Sequence, residues 1–336
     1  SRGLGDVYKR QVSMCTMAFL HAYLGRLRKL QSTPERLALH EDQLQSLLFH
    51  LARRSVYPED FTSFDYTSSS GMIGGLATSA GIGGRDGTGG GDPDDDDAAF
   101  VDYRREMSTL FRSVARVHPA LASSFVQSTL RSMLESIESS QWSHVEVALW
   151  LLYQLGEGLP DGIVREKDGI FEQMMLALLA SPAASHPHHA VVMLFFEIVV
   201  RYYRFFLQQP AALPDALRAF LDERGIRSRH AGLRSRSCAL LLRFVKQTLK
   251  APTMALVEAA AQILEVLSAQ PRLSSRSDSN GGGARDSASV HGVGGSGAGG
   301  SARKCPRLGE AEQLFLYETC GVLLGSGLAS DDCAAA

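Results

Sequence analysis

Four groups of residues in this chain have types and spacings that could do chemistry. His186, His188 and His189 crowd into SHPHHA, six residues that could offer imidazole to a metal. No cysteine or helix-spaced carboxylate accompanies them to complete a ligand set, so they are read as a turn between helices. Asp92, Asp94 and Asp96 in DPDDDD could begin a calcium loop. Such a loop needs Gly at its sixth position and Glu at its twelfth, where this sequence has Asp97 and Tyr103, so the motif fails. GIGGRDGTGGG is glycine-rich, yet it lacks Gly-Lys-Ser/Thr and follows no strand, which excludes a phosphate cradle of the nucleotide-binding kind. There is no nucleophile elbow either. The expectation is a protein with no catalytic residue, no metal and no cofactor of its own.

The fourth group is basic. With Leu241 at zero and 100° per residue, Arg236, Arg243, Lys246 and Lys250 fall within about 80° on the side opposite the apolar stripe. Arg227, Arg229 and His230 precede that helix, and Arg234 falls on its apolar side, where it must snorkel or pair with an acid. Arg105, Arg112 and Arg116 form a smaller outer ridge. Lys and Arg in such ridges suit a phosphate backbone, bound through charge and counterion release without reading base sequence.

The elements that must position these residues are helices. Phe100, Tyr103, Met107, Leu110, Phe111 and Val114 lie on one stripe, and Leu121, Phe125, Leu130, Met133, Leu134 and Ile137 repeat it. Helices are predicted over 12–30, 33–54, 98–117, 119–138, 142–157, 168–181, 188–208, 213–224, 231–250, 252–269 and 309–325. Their starts are marked by a Ser32/Glu35 capping box, Pro214 and Pro252, and one stop by Gly225. First members of successive pairs begin near 98, 142, 188 and 231, the period of a two-helix HEAT unit. Each pair alone leaves its stripe uncovered, so pairs must stack. The predicted fold is all-α, a HEAT-repeat superhelical solenoid. In and just before LFFEIVVRYYRFF the residues Val191, Phe195, Ile198, Val199, Tyr202 and Phe206 share one face and are assigned to the core, with Glu197 and Arg201 paired on the solvent side.

Composition agrees with a globular chain: of 336 residues 45% are apolar and 21% charged, with a formal net charge of −2. Acid gathers at Asp92–Asp97 and base between Arg224 and Lys250, so near-neutrality conceals fields of both signs. Cys15, Cys238, Cys305, Cys320 and Cys333 form an odd set without a Cys-x-x-Cys pair, which disfavours a disulfide framework and fits a reducing compartment. No apolar run reaches membrane-spanning length, so no membrane insertion is expected. Residues 1–11 are read as a non-native leader, and the terminal C-a-a-X pattern at Cys333 as incidental. The remaining organisation is a helical HEAT-like segment at 12–66, a disordered Gly/Ser/Asp insert at 67–97, a HEAT array at 98–270, a disordered Ser/Gly insert at 271–306, and the start of a further helix at 307–336.

The stretches VDYRREMSTLFRSVARVHPAL, VEVALWLLYQLGEGLP, LFFEIVVRYYRFF, LRAFLDERGIRSRHAGLRSRSCALLLRFVK and EQLFLYETCGVLL resemble the middle of the exportin-T family, the tRNA exporters of the importin-β (karyopherin) superfamily. The resemblance spans most of 98–269 and resumes after the second insert. It implies a monomeric, shuttling receptor of nucleus and cytoplasm that holds tRNA together with Ran-GTP and meets nuclear pore proteins. GTP would enter only through bound Ran. It also makes Arg227, Arg229, Arg234, Arg236, Arg243, Lys246, Lys250, Arg105, Arg112 and Arg116 the candidate contacts for RNA or Ran. The alternatives are another HEAT karyopherin that imports protein cargo, or a HEAT structural scaffold.

Overall fold

The computed structural model describes residues 4–61, 64, 93–249, 254–270 and 307–325. Among them lie fourteen α-helices and no strand. In order they are α1 (Leu4–Arg28), α2 (Pro34–Ala38), α3 (Glu41–Arg54), α4 (Pro93–Val117), α5 (Pro119–Glu135), α6 (Trp142–Gly158) and α7 (Asp161–Val164). There follow α8 (Ile170–Ala180), α9 (His189–Arg201), α10 (Tyr203–Gln208), α11 (Leu213–Leu221), α12 (Ala231–Thr248), α13 (Met254–Ser268) and α14 (Glu310–Gly325).

The long helices stack in two rows. Helices α1, α4, α6, α9, α12 and α14 form the first, each packed on the next. In the second row α3, α5 and α8 follow one another, and α11 packs on α13. Contacts of α3 and α5 with α4, of α5 with α6, of α11 with α12 and of α13 with α14 tie the rows together. One buried apolar cluster threads between them from Met17 to Leu323. This is the HEAT-type stacking that the pair spacing predicts, with first-row helices starting at Pro93, Trp142, His189 and Ala231.

A first-row helix is covered on three sides, by its two neighbours and by the row behind. That explains why α9 is apolar nearly all round: every residue from Ala190 to Val200 is buried. Phe196 stacks on Phe220 of α11 at 4.2 Å between ring centres, and Phe206 meets Phe244 of α12 edge-on at 5.1 Å. Each such buried side chain contributes about 1.5–3 kcal/mol relative to exposure.

Several boundaries differ from the periodicity. The predicted 188–208 helix breaks at Tyr202, whose φ of −100° and ψ of 34° leave the helical region. There the Tyr202 hydroxyl donates to the Tyr153 carbonyl at 2.5 Å, and the ring lies against Gly156 so closely that a Cβ there would come within 2.4 Å of it. The 33–54 helix divides at Leu39–His40. Its start is Pro34, and the preceding Thr33 makes no side-chain cap bond, so the Ser32/Glu35 box does not form. Helix α11 stops at Leu221 rather than 224. Gly225 belongs to the turn beyond, where a Cβ would lie 2.1 Å from the Phe220 carbonyl oxygen. Helix α4 starts at Pro93, before the predicted 98, because proline suits a first helical position and the aspartates after it favour a helix N-terminus. Helix α1 runs back to Leu4, through residues read from the sequence as a non-native leader. The rest of the 67–97 stretch, the 271–306 stretch, Pro252, Cys305 and Cys333 lie outside the described residues.

Candidate nucleic-acid interface

The first-row helices run parallel, starts beside starts and ends beside ends, so the row has two distinct edges. At the edge formed by the starts, the rings of Trp142, His188, His189 and His230 stack in a column. Their centres are 3.8, 4.5 and 4.4 Å apart in succession. His188 Nδ1 accepts from the Ala190 N–H that opens α9, and His230 Nδ1 accepts from Leu233 N–H in α12, so both cap their helices. His118 does the same for α5 through Leu121 N–H. A capping Nδ1 must be unprotonated, and burial together with the neighbouring imidazoles pulls His188 down to about 4. His189 is likewise lowered to about 4, by burial first and His230 second. The SHPHHA cluster is therefore helix-capping and stacking structure.

Between successive first-row helices sits a set of ion pairs. Arg104 of α4 meets Glu146 of α6 at 2.6 Å in full burial, with its guanidinium 4.1 Å from the Tyr57 ring centre and 4.9 Å from that of Trp150. Burial is the largest influence on Arg104 and pulls it down, but the charges and hydrogen bonds of Glu146 and Tyr57 together outweigh it, and the net shift is upward. Glu157 of α6 pairs with Arg201 of α9, and Glu197 of α9 with Arg236 of α12 at 2.6 Å. Arg234 of α12 pairs with Glu312 of α14 at 3.1 Å, and Lys246 with Glu318 at 2.6 Å. Each step from α4 to α14 thus carries at least one charge pair.

These pairs revise the predicted ridges. Arg236 is not on the outside: its side chain is 11% exposed, because the flank that the helical wheel assigned to solvent faces α9. Glu197, placed on the solvent side and paired with Arg201, is buried and serves Arg236, while Arg201 reaches back to Glu157. Arg234 pairs with an acid as its position requires. Arg105 is held by Asp102 at 2.7 Å, and Arg227 lies 3.8 Å from Glu265. Arg116, Arg229, Arg243 and Lys246 are exposed, Arg112 is half-buried, and Lys250 lies outside the described residues.

At the edge formed by the helix ends, Arg116, Arg243 and Lys246 join others that the sequence reading missed, whereas Arg229 precedes α12 at the opposite edge. Arg201 closes α9, Arg204 lies in α10, and Arg165 follows α7. A cavity of about 400 Å³ is lined by Glu157, Asp161, Arg165, Arg201, Tyr203 and Arg204, among others. Beside it a second, of about 580 Å³, is lined by Arg165, Tyr203, Arg204 and Lys246, with no carboxylate among its described lining residues. Tyr203 and both arginines border the two cavities alike. Burial lowers Arg112 at the end of α4 while the charge of Glu157 opposes it, so Glu157 acts on cations of two helices. Burial also lifts Tyr153 to about 12, an effect that Arg201 and Arg243 moderate. The result is a basic cleft fed by α6, the α7 turn, α9, α10 and α12. Cations at helix C-termini are favoured by the helix dipole, and that was the one signal in the sequence: two arginines bracketing Tyr202 and Tyr203 at a helix end.

Parallel helix pairs stacked through a shared core, with charges displayed along one edge, define a HEAT-repeat scaffold. Residues 87–330 match the exportin-T family pattern, and the chain belongs to the exportin-T family. It is 33% identical over 237 residues to exportin-T of Homo sapiens, a match covering 68% of this chain and 22% of the human protein. Exportin-T of Danio rerio is 31% identical over 239 residues, covering 69% and 22%. That of Arabidopsis thaliana is 26% identical over 229 residues, covering 68% and 21%. The matched region is about a fifth of the length of these relatives.

Proposed function

We propose that this chain forms part of a nuclear export receptor that carries tRNA bound together with Ran-GTP. The observation that carries the reading is the family match over residues 87–330. The cation-lined edge supports it, since helical RNA hides its base edges in a deep narrow groove and is held through its backbone. In this reading the receptor performs no covalent chemistry, and nucleotide enters only as the GTP that Ran carries. It shuttles between nucleus and cytoplasm as a monomer and passes the pore by contacts with pore proteins. Among the described residues no helix is long and apolar enough to cross a membrane.

Filter binding tests the proposal. The full-length receptor should bind tRNA weakly alone and at least about tenfold more tightly with GTP-loaded Ran, since each ligand must raise the affinity of the other by the same factor. Equal tRNA affinity in Ran-GTP and Ran-GDP would reject it.

A further inference from the structure

We propose that the cleft between α7 and α10 is a phosphate-binding subsite, in which the Asp161 carboxylate occupies the place of the phosphate and is displaced by it. The geometry singles out one position. A single oxygen, Asp161 Oδ2, lies 2.5 Å from Arg165 Nη2 and 3.8 Å from Arg204 Nη1, so two guanidinium groups from different elements converge on it. The Asp161 side chain is 82% exposed, and α7, which carries it, is a single turn of four residues. This carboxylate is held by those two cations and by little else, unlike Glu157, which is mostly buried against Arg201. A phosphate is tetrahedral where a carboxylate is planar, but it likewise presents oxygen pairs that guanidinium groups hold in bidentate fashion, with more acceptors in total.

The surroundings fit a chain of phosphates better than a small acid. Arg201 lines the first cavity and Lys246 the second, and Tyr203 borders both. Among the described lining residues six are charged, four cationic and two anionic, and displacing Asp161 leaves Glu157 as the one carboxylate among these six. Lys246 is paired with Glu318 and Arg201 with Glu157, while Arg165 and Arg204 both face Asp161.

The shared ligand chemistry is a phosphate group, from an RNA backbone or from free polyphosphate. Assigning it to RNA rests on the tRNA reading, whereas the pyrophosphate measurement does not. The test uses the full-length receptor with Ran-GTP and fluorescent tRNA, read by anisotropy across a salt series, and pyrophosphate binding by calorimetry. Arg165→Ala and Arg204→Ala should each weaken binding about threefold to tenfold and reduce the salt slope by about one. Asp161→Asn, which removes the competing charge without changing shape, should tighten binding about threefold or more. Arg218→Ala, which removes an exposed cation paired with Asp215 on α11, is the control and should change neither. Effects on tRNA identify the RNA backbone as the source. Effects on pyrophosphate alone keep the subsite and assign it to free polyphosphate. If Asp161→Asn and Arg204→Ala leave both ligands unaffected in protein that melts like the wild type, the subsite does not exist.

Discussion

Replacing Arg236 separates an inter-repeat pin from a surface ligand contact. Arg236 donates through Nε at 2.9 Å and Nη2 at 2.6 Å to one oxygen of Glu197, with the two side chains only 11% and 7% exposed. Arg236→Ala strands a carboxylate that burial already lifts above its usual range even with the arginine beside it. Removing one member of a buried pair costs about 3–5 kcal/mol, and protonation of Glu197 sets the upper limit by shedding the stranded charge. At about 2–4 °C per kcal/mol for a domain of 150–250 residues, the melt should fall by roughly 10 °C. Glu197→Ala should cost a similar amount. The double variant Glu197→Leu/Arg236→Met should recover most of the loss, since an apolar pair of similar volume is often neutral at such sites. Thermal unfolding followed by far-UV circular dichroism reads all three. The reasoning fails if Arg236→Ala melts with the wild type, or if the double variant is as unstable as the singles added together.

Further outcomes follow from the other contacts. Gly156→Ala should destabilise by about 1–3 kcal/mol, because its Cβ would sit within 2.4 Å of the Tyr202 ring, and a denaturant midpoint measures this. His188 and His189 titrate near 4 when folded and near 6.5 when unfolded, so the unfolded chain binds more protons between those values. Stability is then present in full above about pH 6.5 and falls as the pH drops toward 4. Both rings are partly solvated and coupled, so the loss should be about 1–2 kcal/mol in total, and His188→Asn, which retains a capping side chain, should flatten it in urea melts across pH. Arg243→Ala and Lys246→Ala, both on the exposed edge, should lower the salt slope of tRNA binding by up to about one each while the melt moves by less than about 1 kcal/mol.

The repeat spacing, the helix rows and the core face of α9 were legible because hydrophobic periodicity records which stripe is covered. Arg234 was legible too, since a cation on an apolar face needs an acid. Arg236 and Glu197 were not, because a helical wheel separates inside from outside but does not know that a row neighbour covers a third flank. Arg201 and Arg204 hid inside an apolar helix until the break at Tyr202 separated them into two elements. Arg165 came from a connecting turn with no periodicity at all. The histidine caps escaped because Ser, Thr, Asp and Asn dominate that position.

The most direct measurement is hydrogen exchange on the full-length receptor with Ran-GTP, with and without tRNA. Slowed exchange on adding tRNA should concentrate in residues 157–165, 201–208 and 243–247, at the edge where the first-row helices end. Unchanged exchange in those three segments, with protection appearing instead around 142–144, 186–190 and 230–233, would place the RNA on the opposite edge and contradict the account.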